Sequence, residues 1–146
     1  MDRFSFWVRW LKIVGSALVL FGLFMTFFNA TSLFTLFNEG IDPVFWRESV
    51  PGDGTIAFRT WVYGAWGATI AGWGVSLLFL VHFALAQQER WAWFAIAMGM
   101  AVWYVLDTGT SMYFRVNFNV VFNSLILVLV SIPLVVSYRW MRSASS

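Results

Sequence analysis

The residues best suited to chemistry lie together in VLDTGTSMYFRVNFNVVFN, residues 105–123. Asp107 is the only carboxylate flanked by membrane-grade sequence, with Thr108, Thr110, Ser111, Arg115, Asn117, Asn119 and Asn123 close by. An acid among amides and hydroxyls in apolar surroundings can hold an ion, a proton or the polar end of a ligand. An ionised carboxylate in hydrocarbon is costly and normally faces a bundle interior or a wet cavity. Asp107 also lies near the carboxyl end of its apolar run, where a helix dipole disfavours negative charge. It therefore needs partners. Arg115 and Arg59 are the candidate cations, and Asn119 and Asn123 the candidate amides. The alternative to a binding site is a polar clamp that fixes the helices and caps their hairpin.

Depth can be read from helix rise. Asp107 is 16 residues beyond Trp91, about 24 Å along a helix. A hydrocarbon core is about 30 Å thick, so Asp107 is expected roughly a turn inside one boundary. Asn123 lies 16 residues before Arg139, Asn29 17 after Lys12, and Thr69 16 before Leu85. All four apolar runs thus place a hydrogen-bonding side chain near one layer. The candidate ligand or ion site is Asp107, Asn119 and Asn123, with Asn29, Thr69, Arg115 and Arg59.

The string VLDTGTS also matches the active-site signature of pepsin-like aspartic proteases. That chemistry requires two carboxylates sharing a proton on rigid loops between strands. Here one copy sits in helical sequence with no period-two pattern, and a motif counts only in its structural context. The GxGD motif of intramembrane aspartic proteases is absent. An enzyme is the reading these residues fit least, and no cofactor is implied.

The elements that position these residues are helices. Of the 146 residues, 60% are hydrophobic and 11% charged, against roughly 45–50% and about 25% in soluble domains. Four runs reach the roughly 20 residues needed to span a bilayer: 11–36, 60–85, 91–111 and 117–138. The expected fold is all-α, one integral membrane four-helix bundle with a polar outer loop at 38–59. The net charge of +2 forms no basic face, which excludes a nucleic-acid partner. The absence of cysteine removes thiol chemistry and zinc-thiolate sites. The four acids of the loop, Glu39, Asp42, Glu48 and Asp53, lack the alternating spacing of a calcium loop, so no metal site is expected.

The basic start at Arg3, Arg9 and Lys12 resembles the opening of a secretory signal. Phe28-Asn29-Ala30 lacks the small residue three places before a cut, which favours an uncleaved first helix. Arg3, Arg9, Lys12, Arg90, Arg139 and Arg142 fall on one side, and Arg47, Arg59 and Arg115 on the other. By the positive-inside rule both termini are cytoplasmic. In the loop, Asp42-Pro43 reads as an N-cap followed by proline at the first helical position, opening a short helix over Val44, Phe45 and Trp46. Pro51-Gly52-Asp53-Gly54 reads as a turn.

In the second run Gly64, Ala68, Gly72 and Ser76 form a small-residue ladder at four-residue spacing. Such a ladder lets a neighbouring backbone approach, as internal bundle packing or as a dimer seam. Ala95 and Gly99 form a shorter version. Trp66 and Trp73 read as a lipid-facing or core stripe. His82 stands alone, as an interfacial hydrogen-bonding residue. Pro133 frees the Leu129 carbonyl and predicts a kink or a rehydrated turn.

WLKIVG at 10–15, the polar first loop and TWVYG at 60–64 resemble small bacterial inner-membrane proteins of the DoxX-like type. The resemblance implies a bacterial inner-membrane location and carries over no functional residue. Three functions stay open: a non-catalytic protein that binds a lipid or apolar ligand or serves as an accessory subunit, a channel or transporter element built on the Asp/Asn layer, and an enzyme. The bilayer is the expected partner, with a second membrane protein or further copies of this chain beside it.

Overall fold

The computed structural model describes residues 3–46 and 52–143, with side chains placed for 4–46 and 52–140. Arg47, Glu48 and Pro51 of the first loop, and the side chains of Arg3 and Arg142, lie outside the described residues. The described residues form five α-helices: α1 (Arg3–Phe28), α2 (Thr35–Phe45), α3 (Asp53–Phe79), α4 (Arg90–Tyr113) and α5 (Asn117–Ser143). Four of the helical segments are long and apolar enough to cross a membrane, consistent with a multi-pass membrane protein. There is no strand among the described residues.

The first apolar run is not one helix to residue 36. It ends at Phe28, because polar side chains take over the last carbonyls. Asn29 Nδ2 donates to Met25 O at 2.8 Å, and Thr31 Oγ1 donates to Phe28 O at 2.7 Å. Short polar side chains that bond nearby backbone compete with helix continuation. A 3-10 turn at Ser32–Phe34 follows, and α2 restarts at Thr35. This overturns the N-cap reading of Asp42-Pro43. Both residues sit inside the last turns of α2, and the Trp46 N–H closes the helix on Asp42 O at 2.8 Å. The expected turn at Asp53-Gly54 is instead the first turn of α3, capped by Gly52. An acid is favourable there, beside the positive end of the helix dipole.

The internal-packing reading of the small-residue ladder is corrected as well. Gly72 has open space where a Cβ would stand, Gly64 meets only Thr26 O at 3.9 Å, and Ala68 and Ser76 are exposed. Ala95 is exposed and Gly99 faces open space. The close contact lies on another face. A Cβ at Gly22 would come within 2.5 Å of the Gly67 carbonyl oxygen and the Ala71 nitrogen, and one at Gly74 within 2.9 Å of the Val19 nitrogen. Gly15 and Gly22 of α1 face Gly67 and Gly74 of α3, both pairs seven apart. A four-residue step drifts about 40° around a helix and a seven-residue step about 20°. The seven-spaced glycines therefore track a neighbouring helix for longer.

Around this contact α1 packs along α3, α4 along α5, and α1 also along α5. The buried core includes Leu11, Leu77, Val81, Leu85, Ile96 and Val130. Past α3 the chain makes a π turn at Leu80–Ala84 and a 3-10 turn at Leu85–Gln87. His82 sits on the π turn, with Lys12 Nζ 3.0 Å from its Nδ1, an inter-helix hydrogen bond.

Pro133 leaves neither a rehydrated turn nor an orphan. The Trp10 indole N–H donates to Leu129 O at 3.0 Å, which is the carbonyl the proline frees. Ser137 Oγ donates to Pro133 O at 2.6 Å, and the Trp93 indole donates to Leu134 O at 2.7 Å. In an apolar medium each such group must find a partner inside the protein.

Two outcomes test this packing. Gly22→Ala forces a Cβ into backbone and lowers stability by about 1–3 kcal/mol, whereas Gly72→Leu leaves it unchanged; thermal unfolding in detergent reads both, and an unaffected Gly22→Ala contradicts the contact. Trp10→Phe strands the Leu129 carbonyl at about 1–3 kcal/mol. In a Pro133→Ala background, which restores the helical N–H, that loss shrinks toward zero; a loss of equal size in both backgrounds contradicts the pairing.

Candidate functional site

The α4–α5 hairpin is closed by a stack of polar side chains. Asn119 Nδ2 donates to Asp107 Oδ1 and to Ser111 Oγ, both at 2.7 Å. Ser111 Oγ lies 2.8 Å from Asp107 O and 3.4 Å from Oδ1. One turn deeper Asn123 Nδ2 donates to Thr108 Oγ1 at 3.3 Å, and both residues are buried. Deeper again, Tyr104 Oη and Ser124 Oγ are 3.2 Å apart. The four-residue spacing of Asn119 and Asn123 puts both on one face of α5, which is why one helix can serve two turns of α4.

Of the expected partners of Asp107, the structure supplies Asn119. Asn123 goes to Thr108. Arg59 forms a half-buried ion pair with Asp42. Arg115 is exposed and takes a left-handed conformation, φ 61°. Val116 N bonds Ser111 O at 2.8 Å and Arg115 N bonds Met112 O at 3.1 Å. This is a Schellman cap with arginine at the position glycine usually fills. Gln88, φ 62°, closes the α3–α4 connection in the same way. Arg115 is thus the turn of the hairpin and not a counter-ion. Asn29 is buried, bonded to carbonyls of its own helix, with its Oδ1 unpaired among the described residues. Thr69 bonds Ala65 O at 3.0 Å.

Asp107 and Asn119 stand at the junction of two cavities, of about 340 and 590 Å³. The cavities share Ile41, Tyr63, Trp66, Asp107 and Asn119. The inner one also reaches Thr69 and Asn123, and the outer one Arg59. Of the seven candidate residues, five line this space, while Asn29 and Arg115 do not.

The space exists because α3 and α4 hardly approach each other as backbones. Their side chains meet at Trp73 and Trp103, with ring centroids 5.7 Å apart. This indole pair props the helices apart. On the loop side of the prop the gap opens, between Trp66 of α3 and Leu106 of α4. On the other side the bundle closes on the apolar core. The back wall is aromatic: Phe34 lies 4.6 Å from Phe37 and 5.3 Å from Tyr63, and Phe37 lies 5.7 Å from Phe122. The helix α2 covers the top, its Gly40 seated on the Phe118 ring, where a Cβ would stand 2.6 Å from Cγ.

The aromatic lining was not recognised in the sequence. Trp66 and Trp73 read there as a core or lipid stripe. Their seven-residue spacing with Ile70 and Thr69 between them was the available signal, because it puts a hydroxyl on the same side as two indoles.

Arg115→Gly is expected to leave the fold intact and to raise stability by up to about 1 kcal/mol, since glycine takes the left-handed conformation without the Cβ penalty. Thermal unfolding measures it. A clear loss of stability would mean that the guanidinium holds a partner the turn geometry does not show.

The chain matches no family model, no curated protein and no solved structure.

Proposed function

We propose that this chain is a non-catalytic bacterial inner-membrane protein, both termini cytoplasmic, that holds an apolar ligand between α3 and α4. The location rests on the arginine and lysine distribution and on the DoxX-like resemblance. The observation that carries the ligand reading is the cavity. Its size falls in the roughly 300–1,000 Å³ range of small-molecule sites, mostly apolar with a few convergent polar groups. Its gap between Trp66 and Leu106 lies within spans of membrane-crossing length, so a ligand can enter sideways from lipid. A channel needs a continuous polar path, and the buried core beyond Trp73 and Trp103 supports a dead-ended pocket instead. An accessory role in a larger complex is compatible with the same pocket.

The test is binding of N-phenyl-1-naphthylamine, a neutral apolar fluorophore, to the detergent-purified protein. Saturable binding near one per chain is expected. Ile70→Trp, which fills the inner cavity, lowers affinity about tenfold or more, the loss of roughly 1.4 kcal/mol of contacts. Equal binding by a folded Ile70→Trp variant overturns the cavity reading.

A further inference from the structure

We infer that the ligand is a single-chain organic cation, an alkylammonium whose charged nitrogen rests on Asp107 while its tail lies among the aromatic rings. This rests on the ligand-cavity reading above and adds the chemistry of the occupant. Among the described residues Asp107 is the only acid lining either cavity. Its Oδ1 takes the Asn119 amide and the Ser111 hydroxyl, while its Oδ2 receives no hydrogen bond from the described residues. The inner cavity is lined by no lysine, arginine or histidine. In the outer one the single cation among the described residues, Arg59, is engaged by Asp42. Half-buried Asp107 therefore lines the space with one oxygen free of hydrogen bonds and, among the described residues, no unengaged cation beside it, a setting that favours a positively charged group.

The rings around it favour the same charge. Tyr63, Trp66, Trp73 and Trp103 line the space, and aromatic faces attract cations, tryptophan most strongly. Other occupants fit less well. An anionic ligand meets a carboxylate and negative ring faces. A neutral one brings no charge to balance the carboxylate or to rest on the ring faces. A bare divalent metal needs several oxygen ligands, and no cluster of three acidic, histidine or cysteine side chains occurs among the described residues. A phospholipid ammonium brings a phosphate for which the lining holds no free cation among the described residues.

The experiment compares dodecyltrimethylammonium with dodecanol, by calorimetric titration of the protein in a neutral maltoside detergent. Wild type is expected to bind the cation about tenfold more tightly than the alcohol. Asp107→Asn keeps an acceptor for Asn119, so it should fold and lose the preference for the cation over dodecanol. Thr69→Lys is the second variant; it places an ammonium in the same cavity and should likewise abolish cation binding, which keeps the question decidable if Asp107→Asn does not fold. Equal affinities in wild type, or a preference that survives in either folded variant, overturn the cationic ligand and leave the apolar cavity standing. Binding of neither compound, together with no binding of the neutral fluorophore, overturns both. Displacement of the cation on adding phosphatidylethanolamine to nanodiscs would reassign the site to a lipid headgroup and overturn the single-chain amine.

Discussion

Everything in this bundle follows from how closely α1 and α3 approach at Gly22 and Gly67. With a Cβ clearance of 2.5 Å to opposing backbone, the two helices touch main chain to main chain. Where lipid is as apolar as the side chains, helix association relies on such packing. Holding α3 hard against α1 fixes its other edge at a distance from α4. The π and 3-10 turns at Leu80–Gln87 bring α4 back to the bundle at one end only. A wedge-shaped gap is the geometric consequence, and Trp73 and Trp103 fill its narrow end.

The polar residues are arranged around that gap in two ways. Those of α4 and α5 satisfy each other, as Asn123 with Thr108 and Asn119 with Ser111. This zips one hairpin together and makes a rigid wall. Asp107 is the exception, because its second oxygen takes no hydrogen bond from the described residues. The clamp and the site are therefore one arrangement: Asn119 orients the carboxyl that the cavity presents. The Asp42–Arg59 pair ties α2 to α3, and it engages the one cation among the described residues that lines the space beside Asp107.

Much of the helical layout was legible in the sequence. Apolar run length alone located α3, α4 and α5 to within several residues, and Asn119, which Asp107 engages, was among its candidate amide partners, whereas Asn123 of the depth-matched layer goes to Thr108. What was not legible depended on partners from elsewhere in the chain. The four-spaced ladder Gly64–Ser76 is the stronger local pattern, but the usable edge is the one that finds Gly15 and Gly22 opposite, and only a pairing of two helices reveals it. The carbonyl freed by Pro133 was predictable; that Trp10 supplies its donor was not, with 119 residues between Trp10 and Leu129. The break after Phe28 was written in Asn29 and Thr31, whose local hydrogen bonding was outweighed by the hydrophobicity of Leu33 and Phe34. The cavity is the least legible of all, since it is the shape left over when two helix pairs pack unequally.

The central claim is that α3 and α4 stand apart on the loop side of Trp73 and Trp103, with Asp107 facing the space between them. A structure of the chain determined experimentally in lipid nanodiscs tests this most directly. The account predicts Trp73 and Trp103 in ring contact, Asn119 within hydrogen-bonding reach of Asp107, and elongated non-protein density entering between Trp66 and Leu106. Trp66 packed against Leu106 with the gap closed, or Asp107 turned outward to lipid or bulk water, would contradict it.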